Sequence, residues 1–244
     1  MITNSGSGTC VDEIADGIFR ISTPVSAIPG GFTFNQYLLV DDEPLLFHTG
    51  LRQLFPLVRE AIAAVMPVER LCYLSFSHFE ADECGALNEF LAVAPNAVPL
   101  CGKIGAMVSI GDVSDRPPRA LEDEERVTLG SHTVRWFDTP HLPHGWDCGL
   151  LMEERTGTLF CSDLFSQGGA EHAPLIETDI LEPSEAFRAQ LDYFSQSRDA
   201  PGLIERLAAA DPHTLACMHG PAWRGDGAGL LRALGGRLGG AGAA

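Results

Sequence analysis

The sequence predicts an α/β fold, a sheet-rich sandwich with helices on its outer faces. Three observations carry that expectation. Short strand-like apolar runs come in clusters, and amphipathic helical patterns are interleaved between them. The 244 residues also contain neither an internal repeat nor a long linker, so one large core is the natural unit. In chain order, residues 17–22, 34–40 and 44–47 read as strands separated by turn residues that include Asp41 and Asp42. Residues 54–66 place apolar side chains at helical spacing and stop at Pro67. The run 71–77 suits a short buried strand, and 86–93 a helix that ends before Pro95. Residues 126–129 and 132–137 flank a hairpin signal at Gly130 and Ser131, and 148–152 pairs with 158–161 around Thr156 and Gly157. Amphipathic helices over 184–194 and 203–210 and a last strand over 214–218 complete the pattern, which leaves the strand order open. Residues 1–10, polar and Gly/Ser-rich, are expected to be flexible. The Gly/Ala-rich stretch 235–244 is expected to fray, because ordering glycine is entropically costly.

Composition narrows the function classes. With 45% hydrophobic and 20% charged residues, the chain can bury a substantial core without disulfides or structural metals. Sixteen Lys and Arg against 33 Asp and Glu give a formal charge of -17. Nucleic acid and anionic membrane surfaces are bound chiefly through cationic side chains, so neither is an expected partner. No apolar run approaches the roughly 18–20 residues needed to span a bilayer, and the N-terminus lacks the basic and apolar regions of a signal peptide. The expectation is a soluble, acidic, cytoplasmic protein. The seven cysteines (10, 72, 84, 101, 148, 161 and 217) are scattered and form no C-x-x-C pair, which argues against a disulfide framework or a cysteine zinc site. Most read as small buried hydrophobes; Cys84 and Cys148 adjoin the motifs described next.

Metal-competent residues cluster where predicted strands end. The stretch His78-Phe79-Glu80-Ala81-Asp82-Glu83 follows one strand, and His141-Leu142-Pro143-His144 a second. Asp163 follows a third and His219 a fourth. Loops at one end of the strands are where functional groups converge in α/β folds. In an extended segment His78, Glu80 and Asp82 project to the same side, a natural start for a metal site. Taken singly, each has an ordinary reading: a solvated acidic loop before a helix, a turn aspartate, a satisfied core histidine. Four strand ends carrying such groups together are much harder to explain that way. His48, His132, His172 and His213 lack comparable partners and read as structural, although His48 also occupies a strand end. Phe79, Trp146 and Phe165 flank the cluster and read either as a dry wall over it or as ordinary core.

His78-Phe79-Glu80-Ala81-Asp82, the run T-P-H-L-P-H-G-W-D from Thr139 to Asp147, C-S-D ending at Asp163, and M-H-G-P-A-W-R from Met218 to Arg224 resemble the metallo-β-lactamase superfamily. Within it they are similar to the di-iron branch, which comprises the flavodiiron proteins and the oxygen-binding di-iron proteins. The resemblance spans residues 34–224 in order and spacing. Hydrolytic members carry H-x-H-x-D-H, whereas the di-iron branch carries Glu at the middle position, as Glu80 does here. Carboxylates suit harder, redox-active ions and histidine-rich sites suit zinc.

The resemblance implies an αββα sandwich, two mixed sheets flanked by helices, with a metallo-β-lactamase-like di-iron domain over residues 11–234. One metal would take His78, Glu80 and His144 and the other Asp82 and His219, with Asp163 bridging. Three carboxylates against two ferrous ions leave one positive charge for a hydroxide to neutralise. His144 is chosen over His141 because the branch places its ligand shortly before a Trp/Pro-Asp element; His141 would then orient a ligand or donate to bound oxygen. Two departures stand out. Glu83 occupies the position where flavodiiron proteins carry His, so the second metal would gain a carboxylate, keep an open position, or have Glu83 as a neighbour. No flavodoxin segment or phosphate-cradling loop is found in this sequence, so no flavin is expected in this chain. The implied function is a non-haem di-iron protein with two iron ions that binds, and in one form reduces, dioxygen or nitric oxide. It would act as a sensor or carrier, or as an oxidoreductase served by an external electron donor or signalling partner, with a homodimer also implied. The competing expectation is a zinc hydrolase of an ester, thioester, lactone or phosphodiester; a third is a metal-free scaffold.

Overall fold

Alternation along one strand decides the layering. In the strand Phe32–Leu39 successive side chains point to opposite faces: Phe34 and Leu38 enter one apolar cluster, Tyr37 and Leu39 another. A strand apolar on both faces has to be covered on both, which demands a sheet between a second sheet and a helical layer. The computed structural model describes residues 1–240. Among them, fifteen strands form two mixed sheets. The first holds β1 (Ile2–Asn4), β2 (Thr9–Ala15), β3 (Ile18–Val25), β4 (Phe32–Leu39), β5 (Leu45–Phe47), β6 (Tyr73–Ser75), β7 (Val98–Gly102) and β8 (Arg119–Leu121) in sequential order. It is antiparallel from β1 to β5 and parallel from β5 to β8. The second holds β9 (Arg126–Thr128), β10 (Thr133–Asp138), β11 (Gly149–Glu153), β12 (Thr158–Ser162), β13 (Leu175–Ile176), β14 (Thr214–Cys217) and β15 (Ala222–Arg224). Its order is β13-β15-β14-β12-β11-β10-β9, with β12/β14 and β13/β15 parallel.

Between the sheets lie Phe47, Trp136, Leu151 and Phe160, all fully buried. The helices Phe55–Ala63 and Leu87–Val93 cover the first sheet through Val58, Ile62, Leu87 and Phe90. Leu181–Leu191, Ala200–Ala209 and Gly227–Gly240 cover the second, with Ile204, Leu207, Leu231 and Leu234 against Leu150 and Leu215. The result is the expected helix–sheet–sheet–helix sandwich. Five cysteines are buried and none is bonded to another among the described residues, as their apolar settings predicted. No helix among those residues is long and apolar enough to cross a membrane.

The structure departs from the sequence reading at several elements. Residues 1–10 include β1 and the start of β2, with Ile2 opposite Cys10 and the terminal ammonium donating to the Val11 carbonyl at 2.8 Å. Edge pairing needs only backbone groups, so polar composition did not announce it. Helix 181–191 starts three residues earlier than its apolar spacing suggested, because Pro183 fits the first turn, where N–H groups lack helical partners. It ends at Asp192, which turns left-handed at φ 46°. The last helix runs through Gly235 to Gly240, beyond the expected boundary. Gly235 lies against Ile204, where the missing side chain lets two helices approach. Residues 241–244 of the expected tail lie outside the described residues. Strand β7 was missed because Pro99 reads as a strand breaker, and β8 because it is only three residues long.

Phe160 stacks at 5.1 Å from Phe47 and edge-on to Tyr37 at 5.7 Å in the layer that joins the sheets. Phe160→Ala should therefore lower unfolding stability by about 3–5 kcal/mol. Urea denaturation followed by tryptophan fluorescence checks this; a loss below about 1 kcal/mol would mean the interface collapses around the cavity.

Candidate metal centre

Strands β6, β10, β12 and β14, one from the first sheet and three from the second, run out at a common edge. Their loops deliver His78, Glu80, Asp82, His144, Asp163 and His219 to one cavity. His78, Asp163 and His219 are nearly inaccessible, whereas Glu80 is about half exposed at 51% of its side chain. Glu80 Oε2 lies 3.1 Å from His78 Nε2 and 3.0 Å from His144 Nε2. Asp163 faces both ways: Oδ2 is 3.8 Å from His78 Nε2 and 3.7 Å from His144 Nε2, while Oδ1 is 3.2 Å from His219 Nε2. His219 Nε2 is also 3.4 Å from Asp82 Oδ2. The cluster thus divides into two donor sets that share Asp163. Glu83 is buried beside them, its Oε2 4.0 Å from His78 Nε2.

Backbone and hydroxyl groups hold the rings in place. His219 Nδ1–H donates to the Thr33 carbonyl of β4 at 2.8 Å, which leaves the Nε2 lone pair facing Asp82 and Asp163. Gly220 follows at φ 91°, a left-handed conformation suited to glycine, and its N–H donates to Thr33 Oγ1 at 2.9 Å. Its carbonyl accepts from Arg20 Nη2 at 2.9 Å and Asn35 Nδ2 at 2.8 Å, so β3 and β4 clamp the His219 turn. On the other side, His78 Nδ1 is hydrogen-bonded to Ser77 Oγ at 2.9 Å. Ser77 Oγ also contacts Ser162 Oγ at 2.7 Å and His48 Nε2 at 3.1 Å. Ser162 then donates to Asp163 Oδ2 at 3.1 Å, so one buried hydroxyl relay ties two strand ends together. Asp147 accepts the Phe79 N–H at 3.0 Å and Gly149 N–H donates to the Ser77 carbonyl at 2.9 Å, joining the first loop to the second. A side chain at Gly149 would run into Trp136, so glycine is required there.

Charge in this space is strongly coupled. Hydrogen bonds from His144 and His78 hold the Glu80 carboxyl down at about 2. Burial works against charge on Asp163 and Asp82, yet the His219 hydrogen bond keeps both below the ordinary carboxylate range. Glu83 goes the other way: burial and then the negative fields of Asp163 and Asp82 push it well up. Burial also opposes charge on His219, but its bonds to Asp163 and Asp82 win and raise it to about 9. His48 is lowered to about 3, chiefly by burial, and stays neutral.

A cavity of about 140 Å³ lies over the cluster, walled by Phe32, Phe187, Leu191 and Tyr193. Phe32 packs on the His219 ring at 4.2 Å between centroids and stacks with Phe187 at 5.7 Å. These aromatics make the dry wall that the sequence reading sought in Phe79, Trp146 and Phe165. Phe79 and Trp146 are instead 48% and 59% exposed, and only Phe165 is core. His141 is corrected as well. It takes φ 64° and its side chain borders a surface groove with Ser197, Arg198 and Asp199, with no hydrogen bond to the cluster among the described residues. His144 reaches the cluster because the intervening turn, closed by the His141 N–H to the Gly145 carbonyl at 2.8 Å, aims it inward. Conversely His48 belongs to the relay beneath the centre; its place at a strand end was the available signal. Phe32, Phe187 and Tyr193 had no local signal, since they come from a strand start and a helix end far apart in sequence.

Two mixed sheets between helical layers, with a histidine–carboxylate cluster at the strand ends, place the domain in the metallo-β-lactamase-like class. The ODP family beta-lactamase model matches residues 32–220, and the chain belongs to that family. It is 26% identical over 206 residues to the rubredoxin-oxygen oxidoreductase of Megalodesulfovibrio gigas, covering 81% of this chain and 50% of that protein. It is 23% identical over 215 residues to the anaerobic nitric oxide reductase flavorubredoxin of Pectobacterium atrosepticum, covering 82% and 41%. Among solved structures, its fold is similar to the flavodiiron core from Synechocystis sp. at a TM-score of 0.77 and 20% identity, over 94% of this chain and 60% of that one. The chain spans 28% to 50% of the length of such curated relatives.

The raised His219 pKa sets a pH dependence. In chelator-stripped protein the imidazolium is stabilised relative to its ordinary value of 6.5, so its contribution is complete below about 6.5 and is lost as pH rises through about 9. Melting temperature should fall over that window. Added divalent cations must displace the same proton, so their apparent affinity should rise over it. Thermal melts and calorimetric titrations in buffers of differing ionisation enthalpy check both. A melting temperature that is flat or rising from pH 6.5 to 9 contradicts the assignment.

Proposed function

We propose that this domain holds two iron ions in the strand-end cluster and binds a diatomic oxidant there, dioxygen or nitric oxide, with electrons supplied by a separate redox partner. The observation that carries the reading is the division of the cluster by Asp163. His78, His144 and Glu80 gather at its Oδ2, and His219 and Asp82 at its Oδ1. Imidazole lone pairs and carboxylate oxygens converge without a neutralising lysine or arginine in the cavity wall, so the donor set fits a pair of divalent cations. Its carboxylate share fits iron better than zinc. The names of the Megalodesulfovibrio and Pectobacterium relatives record oxygen and nitric oxide chemistry, which supports the choice of ligand.

Ferrous iron, when bound, supplies the electrons and the open coordination positions. The chain's own residues do the rest. The Thr33 carbonyl fixes the tautomer of His219, and Ser77 holds the His78 ring through Nδ1, so that each presents Nε2 to the cluster. Phe32, Phe187 and Tyr193 exclude water from the face opposite the ligands. The 140 Å³ cavity admits a diatomic and a few waters, well below the roughly 300–1,000 Å³ of pockets that enclose drug-sized substrates. That size weighs against an ester or phosphodiester bound over the cluster. The strongly acidic chain favours encounter with a basic electron donor. Rubredoxin in the name of the Megalodesulfovibrio relative points to a small separate redox protein as its class.

Protein purified anaerobically from iron-supplemented culture should contain about two irons per chain and develop a charge-transfer band on adding oxygen. Asp163→Ala should lose both metals, and His141→Ala should retain them. Stoichiometric zinc with turnover of ester or phosphodiester substrates would overturn the reading in favour of a hydrolase.

A further inference from the structure

We infer that Glu83 is a fourth carboxylate of the centre, a ligand at the donor set of His78 and Glu80, replacing a hydroxide as the group that brings two divalent cations to neutrality. This rests on the two-cation reading above and concerns a position where the related flavodiiron motif has no carboxylate.

The observation is an orphaned oxygen. Glu83 is 1% exposed, and its Oε2 has no hydrogen-bond partner among the described residues. A buried carboxylate oxygen without a donor is unfavourable unless a proton or a cation meets it. No hydroxyl or basic side chain of the cavity wall meets it. The two hydroxyls there, Ser166 and Tyr193, both donate to the main-chain carbonyl of Asp163, at 2.9 and 3.2 Å. The remaining polar groups facing Glu83 are carboxylates and imidazoles. Position places it at the first donor set: Oε2 lies 4.0 Å from His78 Nε2, and donor atoms of His78, Glu80 and Glu83 all fall within 4.8 Å of one another. The backbone is pinned, because the Glu83 carbonyl accepts the Thr49 N–H at 2.7 Å at the end of β5. Glu80, Asp82, Glu83 and Asp163 then carry four negative charges, which match two divalent ions without an added anion.

The test uses the full chain, stripped with chelator and titrated anaerobically with Mn²⁺, which is hard and readable by electron paramagnetic resonance. Wild type should bind two Mn²⁺ per chain as a spin-coupled pair. Glu83→Gln, nearly isosteric, should weaken at least one Mn²⁺ by about tenfold or more and diminish the coupled signal. Its melting temperature should also rise less than that of wild type on adding Mn²⁺. Glu83→Asp keeps the charge but withdraws the oxygens; it should weaken Mn²⁺ as well, with the stripped melting temperature near that of wild type. Unchanged Mn²⁺ affinity and coupling in Glu83→Gln overturns the ligand role of Glu83 while leaving the two-cation reading intact, as does wild-type affinity in Glu83→Asp. Fewer than two Mn²⁺ in wild type overturns both.

Discussion

The structure is organised around like charges held together out of water. Glu80, Asp82, Glu83 and Asp163 share one small cavity, and three of the four are largely buried. Burial and mutual repulsion both oppose that arrangement. Histidines and clamps oppose it in turn: Asp163 accepts from the Ser162 hydroxyl and faces imidazoles on both sides, and the His219 turn is fastened by Thr33, Asn35 and Arg20. Such a constellation is electrostatically costly, which is why the proposed function places cations there. Removing any one clamp would let the loops relax outward, since loops carry the ligands and only the sheets are rigid.

The two sheets solve the positioning problem together. The first contributes His78 through Glu83 and the Thr33 carbonyl; the second contributes His144, Asp163 and His219. Neither sheet alone holds a complete donor set, so the apolar layer of Phe47, Trp136 and Phe160 between them also fixes the distances across the centre. The hydroxyl relay of Ser77 and Ser162 crosses the same seam, which couples packing to ligand orientation. On the open side, the half-exposed Glu80 marks where solvent and ligand approach, while Phe32 and Phe187 close the far wall.

Much of this was legible in the residues. Apolar runs bounded by turn residues located β3 to β6, β9 to β12 and β14, and the six residues expected at one site do gather in one cluster. Short edge elements escaped because backbone pairing leaves little trace in side-chain pattern: β1, β8 and β13 are three residues or fewer. His141 and His144 could be separated from sequence only by resemblance, since both sit in one Pro-rich turn; the geometry of that turn sends one outward and one inward.

From the chain alone came the donor types, their order, and the strand ends that carry them, because hardness of ligand atoms and alternation along a strand are local properties. Tertiary structure alone decided which oxygen of Asp163 faces which histidine, that His48 supports the centre from below, and that Phe32, Phe187 and Tyr193 rather than Phe79 and Trp146 wall it. Those outcomes depend on how two sheets pack and how their loops cross. They are contacts between residues tens to more than a hundred positions apart, which no local pattern encodes.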